Sequence, residues 1–232
     1  MIPLPDSWDF TAGASFLVQV LTAYYGLVHL GNLTQGKRVL IHSAAGGVGI
    51  LANRIAKRYQ AYTIGTVGGS HKVDFCKAEG YAQVIVRSDQ FGLDLQQARG
   101  GRDLELIMEC IGGSIFQEGF DQLAAQGRMV VYGAAHYARR ADRPNPLRLL
   151  WKYLRRPKID PQGLIQSNKG ILGFNLIWLY EKATLMQEIL KEVEALHLEK
   201  PHIGHTFTFD QIPMAIRRFQ SGDTIGKVVV EV

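Results

Sequence analysis

Cysteine is nearly absent from this chain of 232 residues, which contains only Cys76 and Cys110. Two cysteines cannot form a disulfide framework, and neither lies in a Cys-x-x-Cys motif, so a reducing compartment, the cytoplasm, is expected. No apolar run reaches about 18 residues without interruption, and the first residues lack the basic region of a secretory signal. Neither a membrane-spanning helix nor a signal sequence is therefore expected.

Clustered metal ligands and nucleic-acid-binding modules are also missing. His202 and His205 form a spaced pair, but no cysteine or carboxylate cluster accompanies them, so no metal site is expected. Basic residues interleaved with aromatic ones are absent, which argues against a nucleic-acid partner. The chain has 47% hydrophobic and 20% charged residues, as a soluble globular protein does, and its net charge of +5 would help attract phosphorylated ligands.

Residues 38–49 (RVLIHSAAGGVG) carry the most informative local pattern. A short apolar run at 39–41 is typical of a strand buried on both faces, and apolar residues after the turn repeat at helical spacing. The turn has Gly46 and Gly49 at the second and third glycine positions of the dinucleotide fingerprint, with Ala44 at the first. Strand, small-residue turn and helix together predict a cradle in which backbone amides bind a diphosphate.

Predicted strands and helices alternate along the rest of the chain. The strands are expected at residues 39–41, 62–67, 83–86, 104–108, 129–132, 171–178 and 228–232. This alternation predicts an α/β fold with a doubly wound parallel sheet and helices on both faces. We expect residues 1–232 to form one dinucleotide-binding domain, with leading helices in 1–32 and an inserted basic lid or loop at 136–170.

The end of the second predicted strand indicates which dinucleotide is bound. NAD-binding folds place an acidic residue there to hold the ribose 2′-hydroxyl, but no carboxylate occurs before Asp74. Gly68 leaves room for a phosphate, Ser70 offers a hydroxyl, and Lys72 supplies a positive charge. Arg87, which leaves the neighbouring strand, can reach the same place. This set suits a 2′-phosphate and favours NADPH over NADH; alternatively, both cations are ordinary solvated surface charges.

Several motifs together resemble a known superfamily. These are LTAYYGL (residues 21–27), HSAAGGVG (42–49), IGTVGGSHK (64–72) and GRMVVYG (127–133). They are similar to the medium-chain dehydrogenase/reductase superfamily, in particular its zinc-independent quinone oxidoreductase branch. NKGILGFNLIWL (168–179) and IGKVVVEV (225–232) resemble the VAT-1-like members of that branch.

The resemblance implies roles for individual residues. It implies that the turn binds the cofactor diphosphate, that Lys72 binds the 2′-phosphate, and that Arg87 replaces the tyrosine usual at its position. Thr22 would lie near the nicotinamide, with Tyr132, Gly133 and Phe174 lining the same pocket. The turn residues matched in this way are Ala45, Gly46, Gly47 and Val48.

The resemblance covers the cofactor-binding half alone, so we expect the chain to lack the GroES-like domain that family members carry before it. It implies hydride transfer from NADPH to a quinone or an α,β-unsaturated carbonyl, and a homodimer paired through strand 171–178. No catalytic acid is assigned, since such a group would come from the absent half. S-adenosylmethionine, another Rossmann ligand, is disfavoured by the positive pocket at 68–72.

The segment between the fifth and sixth predicted strands is strongly basic. Eight basic residues lie between Arg139 and Lys158, and Asp142 is the only acid among them. Residues 147–156 read as a basic amphipathic helix, with leucines and Trp151 on one face. The helix is expected to pack as a lid; the alternative is a non-enzymatic nucleotide-binding adaptor that contacts an anionic membrane surface through it.

Overall fold

Six parallel strands form the main sheet of the computed structural model, which describes residues 4–137, 146–179 and 181–232. They are β1 (Arg38–Ile41), β2 (Tyr62–Val67), β3 (Gln83–Val86), β4 (Leu104–Glu109), β5 (Leu123–Val131) and β6 (Gly170–Gly173). Their spatial order is β3-β2-β1-β4-β5-β6. The strand order reverses between β1 and β4, which is where sheets of this kind bind ligands. The predicted doubly wound parallel sheet is confirmed.

Helices cover both faces of this sheet. The α-helices of the described residues are α1 (Phe10–Ala14), α2 (Leu17–Tyr24), α3 (Gly47–Arg58), α4 (Val73–Ala78), α5 (Phe91–Arg99), α6 (Gly113–Asp121), α7 (Pro146–Leu154), α8 (Pro161–Ser167), α9 (Ala183–Ala195) and α10 (Ile212–Ser221). Successive side chains of β1 point to opposite faces and therefore supply two cores. Val39 and Ile41 pack with residues of α2, α3 and α9, whereas Leu40 packs with residues of α5 and α6.

The leading segment is helical. The Asp9 side chain begins α1 by accepting a hydrogen bond from the Ala12 amide (2.7 Å), and α2 continues into a π-helical turn at Tyr25–Leu30. By length and composition Phe10–Leu30 resembles a membrane span, contrary to the expectation from the sequence. Half of that segment is nevertheless buried inside the fold, as in the core helix of a globular protein. Residence in the cytoplasm stays a prediction.

Two strands differ from the predicted bounds by more than one residue at an end. The strand predicted at 129–132 begins at Leu123, where it pairs with Leu104 before the register shifts. The strand predicted at 171–178 ends at Gly173, and Leu176–Leu179 forms a 3-10 turn instead. The Asn175 side chain accepts a hydrogen bond from the Ile177 amide (3.1 Å), a local bond that competes with strand pairing.

The amphipathic helix predicted at 147–156 is present as α7, which ends at Leu154, whereas α8 was not predicted. The interrupted stretch at 136–170 includes α7 and α8, while residues 138–145 lie outside the described part of the chain. The last predicted strand is β8 (Lys227–Glu231), but it pairs with β7 (Ile203–Thr208) in a separate two-stranded parallel sheet. Neither β7 nor α5 was predicted.

Candidate dinucleotide site

The small-residue turn between β1 and α3 has a tightly constrained backbone. Ser43 adopts a left-handed conformation (φ 54°), and its carbonyl accepts a hydrogen bond from the Gly46 amide (2.8 Å). A Cβ atom at Gly49 would lie 2.4 Å from the Ser43 carbonyl oxygen, so only glycine lets the helix pack this closely on the turn. Gly46 precedes α3 as its cap residue, and no side chain caps that helix. The first amides of α3 therefore face the end of the turn as free donors for an anion.

The predicted 2′-phosphate residues come together beside this turn. Lys72 is only 7% exposed, so it is not the solvated surface charge of the alternative interpretation. Arg87 donates from Nη1 to the Thr66 hydroxyl (3.0 Å), and its Nη2 lies near Gly68. Gly68 and Ser70 are exposed at the rim.

Burial lowers the pKa of Lys72, and the nearby charge of Arg87 lowers it further, whereas Asp223 opposes the shift. The Lys72 ammonium donates to the Gly222 carbonyl at 2.5 Å, which supplies the partner that a buried cation requires. Two cations thus lie close together at the carboxyl ends of β2 and β3. An anionic group placed there would relieve their mutual repulsion.

The residues implied for the nicotinamide end divide into two groups. Tyr132 and Phe174 stack with ring centroids 6.3 Å apart, and a Cβ atom on the neighbouring Gly133 would lie 3.1 Å from the Cys110 side chain. Burial raises the pKa of Tyr132 well above its usual range, so the phenol stays neutral. Thr22 is buried on α2, and its hydroxyl donates to the Val18 carbonyl of the same helix (2.7 Å).

A buried polar network behind the turn was not anticipated from the sequence. His42 follows β1 and contacts Thr66 through Nδ1 (2.8 Å), while its Nε2 lies 3.2 Å from Oε2 of Glu109 at the end of β4. The other carboxylate oxygen accepts hydrogen bonds from the amides of Ile111 and Gly112. Burial alone would raise the pKa of Glu109, but the His42 charge and these hydrogen bonds outweigh it and lower the pKa.

A polar residue at the end of a buried strand is the signal that could have identified this network. His42 and Glu109 end neighbouring strands, and adjacent parallel strands bring such residues together. The network holds the ends of β1, β2 and β4 in a fixed arrangement around the turn.

The C-terminal strap, residues 221–227, was also missed, and it lies across the turn. The Gly226 amide donates to the Ala45 carbonyl (2.7 Å), and Gly226 bridges to Gly46. Farther along the strap, the Asp223 carbonyl lies 3.4 Å from His71 Nε2. The strap therefore contacts both the diphosphate turn and the predicted 2′-phosphate residues.

Histidines, cysteines and carboxylates do not gather into a metal site in 4–137, 146–179 or 181–232, where no group of three or more occurs. His205 accepts a hydrogen bond from Arg218 (3.1 Å), and His202 packs against Phe75. The described residues thus offer no ligand set of the kind that zinc requires.

Comparison with known proteins places this geometry in a family. A family model described as zinc-binding dehydrogenase matches residues 47–176, more than half of the chain. The chain belongs to this family. Within it, the chain is a VAT-1-like member of the medium-chain dehydrogenase/reductase superfamily and corresponds to the cofactor-binding half, which confirms the predicted resemblance.

The family relatives differ in length. The human synaptic vesicle membrane protein VAT-1 homolog is 27% identical over 230 residues, which cover 98% of this chain and 58% of the relative. Highly-reducing polyketide synthase 1 of Aureobasidium melanogenum is 32% identical over 238 residues, covering 98% of this chain and 10% of the synthase. The chain spans about half the length of its VAT-1 relatives, from 47% to 59%.

A solved structure supports the same fold. The quinone oxidoreductase of Thermus thermophilus, determined also in complex with NADPH, superposes with a TM-score of 0.79 at 25% identity, covering 100% of this chain and 69% of that one.

Proposed function

We propose that this chain binds NADPH as the cofactor-binding part of an oxidoreductase that reduces quinones or α,β-unsaturated carbonyl compounds. The observation that carries the proposal is the convergence of three positive features at one sheet edge: the uncapped start of α3, buried Lys72, and Arg87. NADPH carries phosphate groups that need all three. The relatives support the reaction class, since a quinone oxidoreductase shares this fold.

The residues of the chain have separate roles in this function. The turn residues Ala45, Gly46, Gly47 and Val48 present the backbone to the diphosphate, while Lys72 and Arg87 bind the 2′-phosphate with Gly68 and Ser70 at the rim. Tyr132, Gly133 and Phe174 form an apolar wall for the nicotinamide end, with Thr22 nearby on α2. NADPH, when bound, supplies the hydride. The protein positions that donor and keeps water from the apolar wall.

Titration with NADPH and with NADH, followed by nucleotide fluorescence, tests this proposal. We expect tighter binding of NADPH and a loss of tenfold or more in the Lys72→Ala variant, since a charge-assisted hydrogen bond contributes about 1.5–3 kcal/mol. Lys77→Ala is the matched control, because Lys77 lies exposed on α4. Equal affinity for both nucleotides, unchanged in Lys72→Ala, would refute the assignment. Loss of NADPH absorbance on addition of a quinone would test the reaction.

A second function is favoured by one observation on α7. Leu147 is 76% exposed and Trp151 56% exposed, and Arg155 stacks 3.9 Å from the centre of the Trp151 ring. Exposed apolar side chains flanked by cations suit an anionic lipid surface. The competing role is that of a lid. α7 borders a cleft of about 500 Å³, which Gly113 and Ser114 of α6 also line.

Sedimentation with phosphatidylserine vesicles distinguishes these roles. If α7 contacts membranes, the double variant Arg155→Glu with Arg156→Glu should no longer co-sediment with the vesicles. The control is Lys77→Glu with Lys191→Glu, which changes the charge by the same amount at exposed positions elsewhere. This control should keep most of the co-sedimentation. If α7 is a lid, none of these variants binds vesicles in a charge-dependent way.

We also propose a homodimer formed along β6, which lies at the edge of the main sheet. An edge strand offers unpaired backbone groups to a second copy. Light scattering that gives the mass of a monomer at all concentrations would contradict this pairing.

A further inference from the structure

The C-terminal strap brings a third cation to the turn, and the sequence analysis assigned it no role. Lys227 begins β8 directly after the Gly226–Gly46 bridge, and its amide donates to the His202 carbonyl (3.0 Å). Its side chain crosses the first residue of α3, because the Lys227 Cδ atom is 3.9 Å from the place where a Cβ of Gly47 would be. The aliphatic part of the lysine therefore lies within van der Waals distance of the start of α3.

A buried glutamine holds the Lys227 ammonium in place. Gln19 on α2 is 5% exposed and passes 3.2 Å from the same Cβ position on Gly47. With the side-chain amide oriented by its hydrogen bonds, its nitrogen donates to the Ser15 carbonyl (3.0 Å) and its oxygen accepts from Lys227 Nζ (2.6 Å). Both ends of the amide are thus satisfied only when the lysine is there.

The position of this lysine is electrostatically unfavourable without an anion. A helix N-terminus carries a partial positive charge that repels a cation, and α3 has no acidic residue in its first turn. In the described ranges 4–137, 146–179 and 181–232, no carboxylate forms an ion pair with Lys227. The fold therefore holds a half-buried ammonium against the positive end of a helix, an arrangement that an anion between them would stabilise.

We infer that Lys227 binds the diphosphate of the dinucleotide from the side opposite the α3 amides, and that Gln19 is its positioning residue. This inference rests on the proposed dinucleotide function and assigns different phosphate groups of the nucleotide to different cations. Lys72 and Arg87 recognise the 2′-phosphate, which only NADPH has, whereas Lys227 binds the diphosphate common to NADPH and NADH. The strap then contributes to affinity and Lys72 to the choice between the nucleotides.

Parallel titrations of the two nucleotides test this division. In Lys227→Met we expect the affinities for NADPH and NADH to fall by the same factor, about ten- to a hundred-fold, the range of one charge-assisted hydrogen bond. In Lys72→Ala only the NADPH affinity falls. Lys227→Arg retains most of the binding because it keeps the charge. Inorganic pyrophosphate should compete with NADPH, and its competition should weaken in Lys227→Met.

Gln19 is tested by a double-mutant cycle with the same titration. Gln19→Met should weaken binding of both nucleotides in the wild-type background and have no further effect in Lys227→Met, since the glutamine acts through the lysine. Circular dichroism melting of each variant identifies loss of fold, and Lys227→Gln replaces Lys227→Met if the latter does not fold.

The outcomes separate this inference from the proposed function. Unchanged affinity in Lys227→Met, or a loss confined to NADPH, overturns the role of Lys227 while leaving NADPH binding intact. Failure of the wild-type chain to bind either nucleotide overturns both.

Discussion

The polar side chains around the glycine turn and those on α7 are placed in opposite ways. Around the turn, Lys72, His42 and Glu109 are buried and each lies against a polar partner within the protein. On α7, Arg155 and Trp151 pack on each other at the surface. A buried cation must be neutralised or hydrogen-bonded in place, whereas an exposed one costs little to leave in water. The polar side chains around the turn are therefore fixed by contacts within the protein, whereas the exposed side chains of α7 face solvent.

Removing the buried carboxylate should produce the largest effect in this comparison. Glu109→Ala leaves His42 and the amides of Ile111 and Gly112 without their acceptor, and removing one partner of a buried pair costs about 3–5 kcal/mol. We expect urea denaturation to show a loss of this size. A loss below about 1 kcal/mol would mean that the network contributes little to the turn.

The same pair predicts a pH dependence. The pKa of Glu109 is lower in the folded chain than its ordinary value of 4.5. The stabilisation is therefore fully present above the unfolded-state pKa and is lost as the pH falls below about 4.5 toward the folded-state pKa. The stability difference between wild type and Glu109→Gln should shrink over that acidic range. A difference that stays constant from neutral pH to pH 3 would contradict the assigned direction.

An added methyl group compares the turn with α8, the helix that follows α7. Gly49→Ala places a carbon against the Ser43 carbonyl oxygen and should cost about 1–3 kcal/mol, as overpacking does. Gly163→Ala on α8 meets its nearest atoms at 3.9 Å and should be neutral or slightly stabilising, because alanine favours helix. Thermal midpoints of both variants measure the contrast. Equal midpoints would show that the turn relaxes more easily than its geometry indicates.

The smallest effect is expected on α7. Leu150 is 53% exposed, so Leu150→Ser should change the free energy of unfolding by no more than about 0.5 kcal/mol. The substitution should still reduce vesicle binding if α7 contacts lipid. A large loss of stability would instead show that α7 is packed in solution and would favour the lid.

Local patterns were sufficient for the parts of the fold that depend on local burial. The runs at Tyr62–Val67 and Gln83–Val86 form strands with the predicted bounds, because each is a short apolar run ended by polar or glycine residues. Leu123 to Gln126 was missed as strand because it contains polar and left-handed residues, and its pairing with β4 is a tertiary effect. Likewise, β7 has only two large apolar residues, Ile203 and Phe207, and is paired with β8 along its length.

The residues of the candidate site also fall into two groups, those that local spacing identified and those that it did not. The turn glycines and Lys72 were identified because their spacing is local and typical of phosphate binding. Lys227 and Gln19 were not, since they lie more than 20 residues from the turn on either side and approach it only through the packing of α2 and the strap. Glu109 was missed for a related reason: its partner belongs to another strand, and strand order cannot be read from spacing.

The bridge from Gly226 to Gly46 also bears on when the molecule becomes functional during synthesis. The turn and Lys72 are translated about 150 residues before the strap that closes over them. Contacts so distant in sequence form late, after the intervening chain has folded. A nascent chain therefore has the turn without the strap across it until translation has passed residue 227.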